Sequence, residues 1–171
     1  MVLDAARELV SFRPMKFAIA ALPFLLLAAG CGGGGPLRRA VPPPPPPTPL
    51  CKAVVRTAKS WLPEEEKERP LPKDCSDYVG KVFAEHKIKL PRTSEAMSIE
   101  GEEVASSKEL RMADLVFFAG KNGGRKIGHV GIYINNGIFI HQANPGEGVR
   151  QESLYSDYWR KRFLRARRIV D

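Results

Sequence analysis

An amphipathic helix follows a short polar segment near the middle of the chain. Its apolar positions recur at the i, i+1, i+4 and i+5 spacing of one helical stripe, and they are Tyr78, Val79, Val82 and Phe83. Asp74 is a good N-cap, and Asp77 follows three residues later as in a capping box. The pattern predicts a helix over about 75–87, with Cys75 in the first turn and on the buried face.

A strictly alternating pattern farther along the chain predicts a β-hairpin. Within 128–134, His129 and Gly131 fall on one face and the aliphatic residues on the other. The following Asn-Asn-Gly segment is the turn. A two-residue loop would place His129 and His141 on opposite faces, whereas a three-residue loop with Gly137 in the left-handed conformation would pair Gly131 with His141. The second register would bring both histidines to the same face.

These two elements bring together residue types that suit nucleophilic catalysis. His129 would take the proton of Cys75, while His141 would hydrogen-bond the far nitrogen of the His129 ring and fix its orientation. Unpaired backbone N–H groups at the start of the helix would stabilise a thiolate and an oxyanion. Asp74 and Ser76, which flank the nucleophile, support that helix start. The sequence thus predicts a catalytic Cys75, His129 and His141.

Two other interpretations of the same cysteine and histidines have to be weighed. A cysteine and two histidines can bind zinc, but here they lack the close paired spacing of structural zinc motifs, so neither a metal nor a cofactor is expected. A disulfide between Cys51 and Cys75 is the main structural alternative, because an oxidising compartment would favour it. The capped helix start around Cys75 argues against that pairing.

The N-terminal segment predicts export and lipidation. Residues 1–30, with Met15 as an alternative start, read as a signal peptide, because basic residues precede an apolar stretch over Phe17–Ala29 that is short for a bilayer. The stretch closes with Leu-Ala-Ala-Gly-Cys31, which resembles the lipobox of bacterial lipoproteins. Cys31 is therefore the expected lipidation site, and an ordinary secretory signal with a chance cysteine is the alternative.

A glycine- and proline-rich linker over 31–51 follows the lipidation site. Its polyproline part forms a semi-rigid spacer of about 3 Å per residue, which would hold a domain away from a membrane. By resemblance to bacterial lipoproteins, Gly32 in place of an aspartate indicates the outer membrane. We therefore expect the remaining domain, 52–171, to be attached through the lipid at the periplasmic face.

The chain is basic, with a formal net charge of +8, and the leader accounts for +1 of it. Much of the excess lies near the C-terminus, in Arg160, Lys161, Arg162, Arg165, Arg167 and Arg168. A solvated basic face is the plain interpretation, but such a run could also meet an anionic polymer. Export excludes nucleic acid as a natural partner and favours carboxylate-bearing wall peptides. A monomer is expected.

Ordered motifs across nearly all of 52–171 resemble the NlpC-type family of papain-like cell-wall cysteine peptidases. They are 53–59, Asp74-Cys75-Ser76, 90–94, 113–118, 128–133, 139–141, Tyr158-Trp159 and 163–168. The resemblance implies an α+β fold in which N-terminal helices pack against a central antiparallel sheet. It also implies that Cys75 is the nucleophile, His129 the base and His141 the third member. Its members cut peptidoglycan stem peptides, commonly between D-glutamate and diaminopimelate.

The segment before the nucleophile departs from this family. Members usually carry aromatic residues and glycines there, whereas 62–70 is rich in charge and Trp61 is the only aromatic residue near it. Asp77 and Met97 also replace residues that are common in the family. Two alternatives follow, namely a wall-binding lipoprotein with impaired catalysis, and a cysteine hydrolase or acyltransferase that acts on another amide or ester.

Overall fold

The computed structural model describes residues 45–63, 70–144 and 146–171. All of them belong to one compact unit that spans Val41–Asp171. The predicted signal peptide, the lipidation site Cys31 and most of the linker lie outside these residues. Across the three described ranges, no helix combines the length and the apolar character needed to cross a bilayer.

Two N-terminal helices carry the first part of the core. Helix α1, Pro49–Lys59, begins a few residues before the domain start predicted at 52. Thr48 caps it by accepting the Cys51 N–H at 3.3 Å, and the proline in the first turn has no N–H that would need a partner. Helix α2, Cys75–Ala84, starts at the predicted position. It ends earlier than predicted, because the chain turns away through Lys87 at a φ of 63°.

Six antiparallel strands form the sheet, in the order β1-β6-β2-β3-β4-β5. The strands are β1 Glu102–Val104, β2 Leu115–Ala119, β3 Ile127–Asn135, β4 Ile138–Gln142, β5 Val149–Ser153 and β6 Phe163–Arg168. A short helix α3, Ser94–Met97, precedes the sheet, and helix α4, Asp157–Arg162, precedes β6. The predicted α+β architecture of helices against a central antiparallel sheet is confirmed.

The two faces of the sheet bury different side chains because strand residues alternate in direction. Helices α1 and α2 cover one face. The aliphatic residues Val130, Ile132, Ile134 and Ile140 point toward them. The other face is largely aromatic, with Phe118, Phe139 and Trp159 in a second buried cluster. The predicted histidines belong to this second face.

The β3–β4 hairpin has the predicted register but a different turn. Ile132 pairs with Ile140, and this register, continued by one residue, sets Gly131 opposite His141. The loop itself has two residues, Asn136 and Gly137, both at positive φ. A register shift between Tyr133 and Asn135 supplies the extra residue. The prediction of a three-residue loop was therefore wrong, and a bulge brings the histidines to one face instead.

Candidate active site

The start of helix α2 is fixed by a network of side-chain hydrogen bonds. The Asp74 carboxylate accepts the Asp77 N–H at 2.9 Å and the Ser76 hydroxyl at 2.7 Å. The Asp77 carboxylate reaches back to the Lys73 N–H at 2.8 Å, so the capping box closes one residue earlier than the usual pattern. This network holds Cys75 rigidly in the first turn.

Arg92 completes this network from a distant part of the chain. Its guanidinium donates to both Asp74 carboxylate oxygens, at 3.1 and 2.7 Å, and to the Ser76 hydroxyl at 2.9 Å. Hydrogen bonding by Arg92 holds the pKa of the Asp74 carboxyl well below its usual range. The pKa of Arg92 is raised mainly by Asp74, with a smaller effect of Cys75, which places the guanidinium within electrostatic reach of the thiol.

Burial dominates the electrostatics of the candidate nucleophile. It raises the pKa of the Cys75 thiol, and the negative charge of Asp74 adds to that effect. The backbone N–H groups of Val130, Ser76 and Cys75 itself act in the opposite direction and lower it. The predicted stabilisation of a thiolate at the helix start is thus outweighed, and the resting side chain is a neutral thiol.

The two histidines meet as the sequence predicts. His129 Nε2 and His141 Nδ1 are 2.8 Å apart, with ring centroids 4.8 Å apart and the rings nearly perpendicular. His141 is fully buried. Because Nε2 of His129 is engaged, Nδ1 is the nitrogen that can accept a proton from Cys75. The N–H of Val130, the next residue along, already faces the thiol.

Aromatic rings hold the histidine pair in place. Trp159 stacks on His129 at 5.3 Å and lies edge-on to His141 at 5.0 Å. Phe139 stacks on the other side of His141 at 5.1 Å. A Cβ at Gly131 would come within 2.5 Å of the Phe139 ring. The glycine therefore makes room for Phe139, which in turn positions His141.

Both imidazoles are neutral near neutral pH. Burial lowers the pKa of His129 to about 4. Burial, followed by the charges of His129 and Arg150, lowers the pKa of His141 to about 3. A neutral His129 is the form that can act as a general base. The thiol and the candidate base are therefore both neutral, in place of the ion pair that the sequence predicts.

This arrangement can carry out acyl transfer to a thiol. In such a reaction His129 would take the Cys75 proton as sulfur bonds to a carbonyl carbon, and the resulting imidazolium would give that proton to the departing amine as the carbon–nitrogen bond breaks. Water would then attack the thioester, release the acid and return a proton to Cys75. The N–H groups of Cys75 and Ser76 face the sulfur, and donors placed in this way would also stabilise an oxyanion formed next to it.

The disulfide alternative finds no support in the geometry. Cys51 and Cys75 are both free thiols. Cys51 is buried in α1, with its sulfur 3.8 Å from the Val170 carbonyl oxygen. Within the part of the chain that the structure describes, no three His, Cys, Asp or Glu side chains are grouped as metal ligands. Trp61, next to the divergent segment, packs edge-on against Tyr78 in the core.

Sequence reasoning overlooked two residues of this site as functional candidates. Arg92 stands directly before Thr93, the N-cap of α3, and this position beside a helix start was the available signal. Trp159 lies in an aromatic pair with Tyr158, 30 residues after His129. No periodicity in the sequence connects either residue to Cys75 or His129, because both contacts arise from packing between separate elements.

Curated relatives of this chain include hydrolases of the bacterial cell wall. The murein DD-endopeptidase and LD-carboxypeptidase MepS of Escherichia coli K12 is 41% identical over 98 residues, which are 57% of this chain and 50% of the relative. The muramidase and DL-endopeptidase CwlT of Bacillus subtilis is 38% identical over 56% of this chain and 28% of its own length. The chain thus spans half or less of these relatives.

Solved structures show the same architecture. An NlpC/P60 family protein from Bacillus cereus superposes with a TM-score of 0.62 and 28% identity over 73% of this chain and 42% of its own. The peptidoglycan hydrolase RipB of Mycobacterium tuberculosis, at 23% identity and a TM-score of 0.55, covers 71% of this chain and 65% of its own and shares the fold. The sequence profile described as the NlpC/P60 family matches residues 63–168, from just before helix α2 to the last strand. The match covers more than half of the chain and includes Cys75, His129 and His141, so this chain belongs to the NlpC/P60 family.

Proposed function

We propose that the chain is a cysteine peptidase that hydrolyses peptidoglycan stem peptides, with Cys75 as nucleophile, His129 as base and His141 as the residue that orients the base. The observation that carries the proposal is the 2.8 Å contact between His129 Nε2 and His141 Nδ1, which leaves Nδ1 for the thiol. Relatives named as murein endopeptidases support the substrate class.

The bond between D-glutamate and diaminopimelate is the proposed cleavage site. The resemblance of the motifs around Cys75 favours it, and the DL-endopeptidase named among the relatives is consistent with it. The DD-endopeptidase relative points to a different bond. Product masses from a digest distinguish the two, because cleavage at different bonds releases fragments of different mass.

A muropeptide digest tests the activity. The full chain is incubated with purified muropeptides, and new amine termini are identified by mass spectrometry. We expect cleavage to fall by about 10³-fold or more in Cys75→Ala, since the acyl intermediate can no longer form. Cys51→Ala is the matched control, because it removes the buried cysteine of α1 and leaves the site intact. Cleavage that persists in Cys75→Ala would contradict the proposal.

We also propose that Cys31 carries a lipid that anchors the protein at the periplasmic face of the outer membrane. The lipobox-like segment that ends at Cys31, and Gly32 after it, support this location. Membrane fractionation of Cys31→Ala tests it, with release into the soluble fraction expected. Equal membrane association of the variant and the natural chain would contradict lipidation.

A second candidate function is wall binding without turnover, which the burial-raised pKa of the Cys75 thiol favours. Alkylation by iodoacetamide at neutral pH separates the two. A peptidase with a working base reacts several-fold faster than its His129→Gln variant, whereas an inert thiol reacts equally slowly in both. A hydrolase or acyltransferase acting on another amide or ester would show the fast thiol but different products.

A further inference from the structure

A cleft of about 430 Å³ opens beside the histidine pair. We refer to it as the basic cleft. Its walls include His129, His141, Trp159, Lys121, Arg150 and Arg162. Cys75 and Ser76 are not among the described residues that line it. Ser76 instead borders a separate cavity of about 450 Å³ together with Arg92.

The chemistry of acyl transfer indicates which half of a bound substrate each of these two cavities faces. The acyl half of a substrate becomes bonded to Cys75, so it lies toward the start of α2. The departing amine takes its proton from His129, so the half of the peptide that leaves must lie on the His129 side. The basic cleft is therefore on the path of the leaving half.

Two of the three cations of the basic cleft keep an uncompensated charge, although one carboxylate residue, Glu152, also lines the cleft. Arg162 donates to the carbonyl oxygens of Gly120 at 2.6 Å and Lys121 at 3.0 Å, and its guanidinium lies 4.3 Å from the centre of the Tyr158 ring. These contacts fix the side chain without cancelling its charge. No carboxylate within the described ranges pairs with Lys121 or Arg162, whereas Arg150 is paired with Glu147 and Glu152.

The cavity beside Ser76 holds its one guanidinium differently. Arg92 is paired with Asp74 at 2.7 Å and Lys81 with Asp77 at 2.9 Å, whereas the exposed Lys87 and Lys89 also line this cavity. A preorganised guanidinium that lacks an internal carboxylate favours an external one, which it can bind through charge-assisted hydrogen bonds. Arg162 is such a guanidinium, and it lies on the leaving side of the scissile bond.

We propose that the basic cleft is a leaving-side subsite in which Arg162 and Lys121 bind a carboxylate on the residue directly after the scissile bond. This inference rests on the proposed peptidase function. Two different carboxylates of a stem peptide could fill this role. The bound carboxylate is either the terminal α-carboxylate of a last residue that is removed, or the side-chain carboxylate of a diamino acid within a longer stem.

Binding to a chain that cannot turn over tests the subsite. The full chain carries Cys75→Ala, and Trp61→Phe leaves Trp159, a wall of the cleft, as the only tryptophan. Its fluorescence is titrated with the tetrapeptide L-alanyl-γ-D-glutamyl-diaminopimelyl-D-alanine. Two further peptides are amidated, one at the terminal carboxylate and the other at the side-chain carboxylate of diaminopimelate.

We expect one of the two amidated peptides to bind about tenfold more weakly than the unmodified tetrapeptide, because it loses a charge-assisted contact. Which of the two binds more weakly shows which carboxylate occupies the subsite. Arg162→Met and Lys121→Met should each weaken the acid peptide and leave that amide unchanged. Lys121 is exposed, so its variant tests the cleft even if Arg162→Met fails to fold. Lys161→Met, on the same helix but outside the cleft, is the matched control.

Equal affinity for all three peptides, or equal losses in Lys121→Met and Lys161→Met, would overturn the subsite. This result is separable from the activity assay. If the unsubstituted chain cleaves stems while the amides bind equally well, the subsite is wrong and the peptidase stands. If binding depends on the carboxylate and no stem is cleaved, the peptidase is wrong and the cleft binds carboxylates without turnover.

Discussion

Two arginine–aspartate pairs in this protein share their chemistry and differ in their surroundings. Arg92 binds Asp74 at 2.7 Å beside the candidate nucleophile, with both side chains about half exposed. Arg168 binds Asp114 at 2.8 Å between β6 and the start of β2, with Asp114 completely buried. In each pair the arginine donates to both carboxylate oxygens. Only exposure to water separates them.

The two carboxyl groups respond in opposite directions. Hydrogen bonding by Arg92 lowers the pKa of Asp74. Burial raises the pKa of Asp114, although Arg168 and the Arg111 N–H at 2.7 Å both donate to it. A buried charge loses its hydration, and the groups that bind it have to compensate for that loss. The exposed pair is therefore suited to holding the site in shape, and the buried pair to holding the fold together.

The largest expected effect comes from breaking the buried pair. Asp114→Ala should lower the free energy of unfolding by about 3–5 kcal/mol, because Arg168 is left as a buried charge without its carboxylate. Urea denaturation measures this. Glu103→Ala is the control, since its carboxylate is 3.8 Å from Arg167 and well exposed, and it should cost under about 1 kcal/mol. Equal losses of unfolding free energy in Asp114→Ala and Glu103→Ala would show that the buried pair contributes no more to stability than an exposed one.

Breaking the exposed pair should affect catalysis more than stability. Asp74→Ala loses the α2 cap, worth about 1 kcal/mol, and frees the helix start that holds Cys75, so kcat/KM on muropeptides should drop about tenfold or more. Asp74→Asn keeps a capping oxygen and should recover part of the stability, but not the activity. Activity at the level of the unsubstituted chain in Asp74→Asn would show that the pair with Arg92 is dispensable.

Replacing each arginine by lysine sharpens the comparison further. A lysine cannot donate to both carboxylate oxygens in a fixed fork. Arg168→Lys should therefore cost roughly 1–2 kcal/mol, because one buried acceptor loses its partner. Arg92→Lys should leave the urea midpoint unchanged, since water replaces the lost contact. A larger midpoint shift for Arg92→Lys than for Arg168→Lys would reverse the assignment of roles.

The smallest expected effect is a difference in pH dependence. Because the folded pKa of Asp74 is lowered, its contribution to stability is present above pH 3.8 and is lost as the pH falls. The folded pKa of Asp114 is raised, so its contribution is present below pH 3.8 and is lost as the pH rises through that folded value. Thermal melts from about pH 3 to 5 compare both variants with the unsubstituted chain.

The gap in Tm between the unsubstituted chain and Asp74→Asn should grow with rising pH over that range. The gap to Asp114→Asn should shrink. Parallel changes in the two gaps would mean that burial does not separate the pairs. Measuring both variants in the same buffers cancels the titration of all other groups, so only the sign of each slope has to be read.

Local patterns predicted much of the fold and the candidate site correctly. The helical stripe from Tyr78 to Phe83 and the cap at Asp74 placed Cys75 in the first turn of α2. The alternation through β3 placed His129 and Gly131 on one face. The predicted hairpin register was also correct, but it results from a bulge in β3 and not from the predicted three-residue loop. A β-bulge depends on how two strands fit together, so the turn sequence alone did not reveal it.

Features that depend on several separate elements were missed. Arg92 reaches Asp74 across 18 positions of sequence. Trp159 reaches the histidine pair only because α4 packs against the aromatic face of the sheet. The neutral state of the Cys75 thiol was missed as well, because a helix start favours a thiolate and burial, which a sequence does not display, opposes it more strongly.

The sequence by itself determined which residues are candidates for the chemistry, because a helix cap and a strand alternation are fixed by spacing along a few neighbouring residues. The tertiary structure decided the orientation, the protonation and the electrostatic surroundings of those residues. It determined the ring nitrogen left for the thiol, the burial that keeps both partners neutral, and the uncompensated charge of the basic cleft. Each of these depends on distances between elements that are far apart in the chain, and on how much water their packing leaves.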